Sequence, residues 1–147
     1  MVNSSLLPFH LAIPVRNLEE AKDFYINVLG CSQGRSSSHW VDLDLFGHQL
    51  VCHVDDSLGP DGQVKLINNE VDAHGVPIPH FGVVLSMNQW QQLADKLTAV
   101  GTKFVIEPYI RFKGKPGEQA TLFFLDPSGN ALEFKAFKDL SQLFAVD

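Results

Sequence analysis

Apolar residues recur along the chain at two spacings, and the spacing separates helices from strands. Trp90, Leu93, Ala94, Leu97 and Val100 fall at the three- and four-residue steps of one helical face. Leu18, Ala21, Phe24 (or Tyr25) and Val28 do the same in the first half. Asn17 and Asn88 stand ahead of these runs as candidate N-caps, with Glu20 and Gln91 three positions on, and Gly30 and Gly101 follow as candidate C-terminal residues. Two helices of matching extent are predicted.

Elsewhere the pattern alternates, as strands do when one face is buried. In 10–15, Leu11, Ile13 and Val15 share one face and His10, Ala12 and Pro14 the other. In 80–86, Phe81, Val83 and Leu85 oppose His80, Gly82, Val84 and Ser86. In 130–137, Leu132, Phe134 and Ala136 form the helix-facing set, which turns Glu133 and Lys135 outward. His10, His80 and Glu133 are therefore expected on faces turned away from the helices.

The order of elements repeats. PFHLAIPV, NLEEAKDFYINVLG and the extended pieces to His53 are matched by PHFGVVLSM, NQWQQLADKLTAVG and the pieces ending NALEFKAF, each a βαβββ unit. The expected fold is α+β: one domain over 1–147, with module one about 7–57, a linker about 55–78, module two about 79–138 and a tail 139–147. The linker is rich in Gly, Pro, Asp and Asn and lacks sustained periodicity, which reads as a lid-like loop. DPSG at 126–129 reads as a tight turn that fixes the register of the strand carrying Glu133. His10 to Gly30 is one residue shorter than His80 to Gly101, which places an extra residue ahead of the second helix.

Composition narrows the classes. The chain is 45% hydrophobic and 19% charged, an ordinary globular balance, and its net charge of −6 disfavours nucleic acid as a partner. No apolar run approaches the roughly 18 residues that span a bilayer, and no signal peptide is visible, so no membrane partner and a cytoplasmic location are expected. Cys31 and Cys52 have no metal-site spacing and read as buried thiols.

Two histidines and one glutamate on outward strand faces are the donor set of a facial triad for a divalent metal. Taken alone the trio fits edge histidines and a surface glutamate better than a site. The repeat sharpens it, because His10 and His80 sit on the first strand of each unit and Glu133 on the last strand of the second.

The tandem βαβββ units, the opening FHLAIPVRNLEEAKDFYINVLG and the closing FFLDPSGNALEF resemble the vicinal oxygen chelate superfamily, which includes glyoxalase I, fosfomycin- and bleomycin-resistance proteins and extradiol dioxygenases. The resemblance implies two modules forming a half-barrel cup, a metal held by His10, His80 and Glu133, a small-molecule substrate and a homodimer. Aligning Gly47 with Gly129 places Val51 opposite Glu133, so the first-module carboxylate of glyoxalase I-type enzymes is missing. Three protein donors leave three octahedral positions, the arrangement of an Fe(II) extradiol dioxygenase, with Ni, Zn or Mn as other candidate ions.

Around that centre, His53 shares the side of Val51 and is a candidate general base, with a structural histidine as the alternative. Tyr109, Arg111 and Lys113 alternate in YIRFKG and are candidates to act on or orient an anionic substrate, with a solvated basic edge as the alternative. Trp40 is a candidate cup residue, with core packing as the alternative; Arg35, His39 and His48 read as surface residues. The expected function is a metal-dependent dioxygenase-like enzyme. A lyase or isomerase of glyoxalase I type, weakened by Val51, and a metal-free resistance protein are the alternatives.

Overall fold

The structure, a computed structural model, describes residues 6–71 and 74–146. The first module contains β1 (His10–Val15), α1 (Leu18–Lys22) running on as a π-helical turn (Asp23–Val28), β2 (Ser32–Ser36), β3 (Trp40–Leu45) and β4 (His48–Val54). Next comes a hairpin of β5 (Ile67–Val71) and β6 (His74–Ile78). The second module contains β7 (His80–Phe81), β8 (Val84–Leu85), α2 (Met87–Ala99), β9 (Phe104–Arg111), β10 (Gln119–Leu125) and β11 (Ala131–Phe137).

Each module builds its own open sheet, ordered β1-β4-β3-β2 in the first and β7-β11-β10-β9, with β8 also on β11, in the second. In both, the opening strand lies parallel to the closing one: His10 is level with Gln49, and His80 with Ala131. This is the expected α+β fold of tandem βαβββ modules, and neither sheet closes into a barrel.

The helix ends follow from their caps. Asn17 accepts from the Glu20 backbone N–H, as its position predicts. The second cap is Ser86, not Asn88: Ser86 and Gln89 form a complete capping box, and the helix starts earlier than expected. With Ser86 as cap, the stretch to Gly101 is two residues longer than that from Asn17 to Gly30, and the stretch from His80 is one shorter than that from His10, so the surplus lies within the second helix. Gly30 and Gly101 both adopt φ of +79°, which only glycine does cheaply. The π turn widens the first helix so that Tyr25 is fully buried while Phe24 reaches Phe124 on β10, with ring centroids 6.0 Å apart.

One apolar core runs through both modules, drawing on Val15, Tyr25, Val41 and Leu50 from the first and Trp90, Leu97, Phe124 and Phe134 from the second. Polar contacts also cross between them. The Tyr25 hydroxyl donates to Asp126 at 2.7 Å, Asn130 Nδ2 donates to the Pro14 carbonyl at 2.8 Å, and the Arg16 N–H donates to Ser128 Oγ at 2.9 Å. The DPSG turn therefore docks the first module as well as reversing the chain. Burial raises the Asp126 carboxyl above its ordinary value, against four donors that pull it down.

The stretch read as an aperiodic linker holds the β5–β6 hairpin. Its first strand is exposed throughout and carries INNEV, so no buried face imposes an alternation that sequence could reveal. Its second strand brings Val76 into a small apolar cluster with Ile106, Phe123 and Ala131. The hairpin is thereby seated over the second sheet. Among the described residues no helix is long and apolar enough to cross a membrane.

Candidate metal centre

Glu133 and His80 meet on the outward face of the second sheet. β7 lies beside β11, and Gly82 makes their close approach possible: a Cβ there would overlap the Glu133 backbone carbonyl. His80 Nε2 then stands 3.5 Å from Glu133 Oε1. The His80 ring rests edge-on against Phe123, centroids 4.9 Å apart.

Hydrogen bonds fix what these atoms offer. His80 Nδ1 lies 2.7 Å from the Pro77 carbonyl, an acceptor, so Nδ1 carries the proton and the neutral ring has its lone pair on Nε2. That lone pair faces a carboxylate oxygen, which also only accepts. Two acceptors 3.5 Å apart with no hydrogen between them are satisfied by a cation, or by a second proton on the ring. Glu133 Oε2 is held separately, accepting from the Thr121 hydroxyl at 2.7 Å.

These side chains border a cleft of about 250 Å³. Val71 and Val76 of the hairpin and Ile106 of β9 give it an apolar side; Tyr109, Arg111 and Lys135 give it a polar one. Tyr109, Thr121 and Lys135 form one row across β9, β10 and β11, and Arg111 pairs with Gln119 in the next.

His10 lies on the other sheet. Its Nδ1 is 2.7 Å from Gln49 Oε1, which with the amide oxygen as acceptor again leaves Nε2 bare. Among the described residues of one chain, no group of three or more His, Cys, Asp or Glu side chains comes together to hold a metal. Within one chain, His10 thus stands apart from His80 and Glu133: it lies on the first sheet, and the core that the modules share is built from their helix-facing residues. The donors do suit the expected ion in type: two imidazoles with Nδ1 engaged and Nε2 bare, and one carboxylate, of which His80 Nε2 and Glu133 Oε1 alone face one another.

The remaining candidates divide. Tyr109 and Arg111 line the cleft. Lys113 does not, because β9 ends at Arg111 and Phe112 turns the chain with φ of +55°. Trp40 and His53 are cross-strand partners on the first sheet, and His53 is level with Pro14, four residues beyond His10 and so roughly 13 Å along the strand. Trp40 sits on the face of Asp42 rather than that of buried Val41, with the Arg35 guanidinium 5.5 Å from its ring centroid. Arg35 and His48 border a wider cleft of about 430 Å³ on the first module. Cys31 and Cys52 are buried; burial pushes the Cys31 thiol up to about 12 and that of Cys52 higher still, so neither offers a thiolate for ligation or attack at neutral pH.

Sequence reasoning misses Thr121 and the hairpin residues. It places Lys135 on the outward face without giving it a role. The signal for Lys135 is present, two positions from Glu133; that for Thr121 is not, because its contact depends on strand register.

Comparison with known proteins bears on these observations. A search of functionally curated proteins gave no significant match. A glyoxalase/bleomycin resistance protein/dioxygenase from Alicyclobacillus acidocaldarius is 36% identical, with 98% of this chain and 100% of that one covered and a TM-score of 0.72. The fosfomycin resistance protein FosX from Listeria monocytogenes shares the fold at 15% identity, with 97% and 99% covered and a TM-score of 0.64. Lactoylglutathione lyase from Agrobacterium tumefaciens does so at 17% identity, with 97% and 98% covered and a TM-score of 0.61. With a family profile matching residues 8–134 on top of the tandem βαβββ architecture, the chain belongs to the Glyoxalase/Bleomycin resistance protein/Dioxygenase superfamily.

Proposed function

We propose that the protein is a metal-dependent enzyme acting on a small substrate that chelates a divalent ion through two neighbouring oxygens. The supporting observation is the facing pair of acceptors, His80 Nε2 and Glu133 Oε1, 3.5 Å apart with Nδ1 of the same ring already donating to Pro77. His10 of a second copy supplies the third donor, since it cannot do so within its own chain, and a homodimer holds two such sites. The bound ion would act as a Lewis acid or redox centre for the chelated substrate.

The residues of the cleft do the rest. Arg111 and Lys135 draw an anionic substrate to the site and orient it, and Tyr109 offers a hydroxyl beside it. Val71, Val76 and Ile106 exclude water from the opposite side. Of the candidate chemistries, an Fe(II) dioxygenase accords with three protein donors and no first-module carboxylate. A proton-transferring lyase lacks a base at the Val51 position, and His53 lies too far along its strand to replace it.

Metal analysis of protein purified without chelators, followed by oxygen uptake with a panel of catechols, tests the reading. Sharing between copies has its own test. His10→Ala and Glu133→Ala each lose metal alone, but mixed and refolded together they give heterodimers with one intact site. Absence of metal in the wild type ends the enzyme reading, and failure of the mixture to recover metal ends the shared site.

A further inference from the structure

Glu133 has two carboxylate oxygens, and only one addresses His80. Oε1 faces His80 Nε2, whereas Oε2 accepts the Thr121 hydroxyl at 2.7 Å. We propose that Thr121 is a positioning residue: by tying down Oε2 it makes Glu133 offer an ion Oε1 alone and so keeps a coordination position open for substrate. This deepens the metal-site reading above and rests on it.

The contact is specific to the fold. Phe123 is the direct cross-strand partner of Glu133, and Thr121 pairs with Lys135, so Thr121 is only the diagonal neighbour of Glu133. Diagonal positions lie roughly 7–8 Å apart, a gap bridged here because the glutamate leans along its strand. The hydroxyl is what positioning requires, because it donates; the branched Cβ of threonine additionally limits its rotamers. Tyr109 and Lys135 flank it in the same row, which limits where the hydroxyl can turn. Without the bond the carboxylate is free to rotate and to chelate through both oxygens. An ion held that way has one position fewer for other ligands.

The test uses the full chain as wild type, Thr121→Val, which keeps the shape and removes the donor, and Thr121→Ser, which keeps the donor. Thr121→Ala removes the donor a second way should valine disturb folding. Mn(II) binding is followed by calorimetry and by water-proton relaxivity per bound ion, Co(II) binding by its visible absorption, and the fold by thermal unfolding without metal. The expected result is that Val and Ala weaken binding roughly tenfold, lower the relaxivity as an exchangeable water is displaced, and alter the Co(II) spectrum. Ser restores all three, and metal-free unfolding temperatures stay level. Wild-type affinity, relaxivity and spectrum in both Thr121→Val and Thr121→Ala overturn the proposal while leaving the metal site standing. A wild type that binds neither ion overturns both.

Discussion

Val51 stands in the first sheet where Glu133 stands in the second. His10 is level with Gln49, two residues before Val51, as His80 is level with Ala131, two residues before Glu133. The two modules present the same frame, one with a carboxylate and one with a methyl-bearing side chain. The donor count of the proposed centre follows from that difference: one acid, not two.

Restoring the acid is a direct check. Val51→Glu is expected to tighten Zn(II) binding by tenfold or more, about 1.4 kcal/mol, by adding a fourth donor beside His10. The metal-free variant is expected to be less stable by about 2 kcal/mol, because Val51 is 5% exposed and a carboxylate there is desolvated. Calorimetric titration and urea unfolding measure the two effects. Unchanged Zn(II) affinity means that position 51 does not face the ion.

Much of this arrangement is legible in the sequence because periodicity reports which face is buried. The alternation in β1 and β11 puts His10 and Glu133 outward, and the repeat matches Val51 to Glu133, a correspondence that the strand register reproduces. Register itself is less visible. Only strand pairing makes Thr121 the diagonal neighbour of Glu133, and only the positive φ of Phe112 takes Lys113 out of line with Arg111. Ser86 and Gln89 offer the same cap-and-partner spacing as Asn88 and Gln91, and the structure uses the earlier pair, whose side chains satisfy two backbone donors together. The repeat already divides the trio between the two units, but how far the folded modules keep His10 from His80 and Glu133 depends on their packing, which no single strand's pattern encodes.

The buried thiols predict an alkaline limit to stability. Burial pushes the Cys31 thiol up to about 12 in the folded chain and that of Cys52 higher, against about 8.5 for a free thiol. Both are raised, so their contribution is intact below about pH 8.5 and is lost as pH rises towards the folded values. In that window the unfolded chain has released protons that the folded chain retains, and stability falls by about 1.4 kcal/mol per pH unit for each thiol. Urea unfolding of wild type and Cys52→Ala between pH 8 and pH 11 should show the variant with the shallower decline. Equal slopes exclude Cys52 as a source.

Tyr25→Phe removes one of the polar ties between modules. Asp126 would keep its bonds to Ser128 and Asn130 but lose the phenol at 2.7 Å. With the tyrosine fully buried and the carboxylate left one donor short, the expected cost is about 1–3 kcal/mol. Denaturant unfolding measures it, and a parallel Asp126→Asn variant shows whether the two losses are coupled, as partners in one bond require. Additive losses would mean that the hydroxyl and the carboxylate act independently.

Gly82→Ala connects the fold to the proposed site most directly. The added Cβ would overlap the Glu133 carbonyl, a backbone atom that cannot swing aside, so β7 must move away from β11. That displacement carries His80 with it and opens the approach to Glu133. The expected outcome is a loss of about 2 kcal/mol or more in stability together with loss of metal binding. At a temperature where the variant is still folded, calorimetry separates the two effects: weakened Mn(II) binding in a folded Gly82→Ala protein shows that the strand spacing itself sets the site. Full binding would show that His80 and Glu133 find the ion without that spacing.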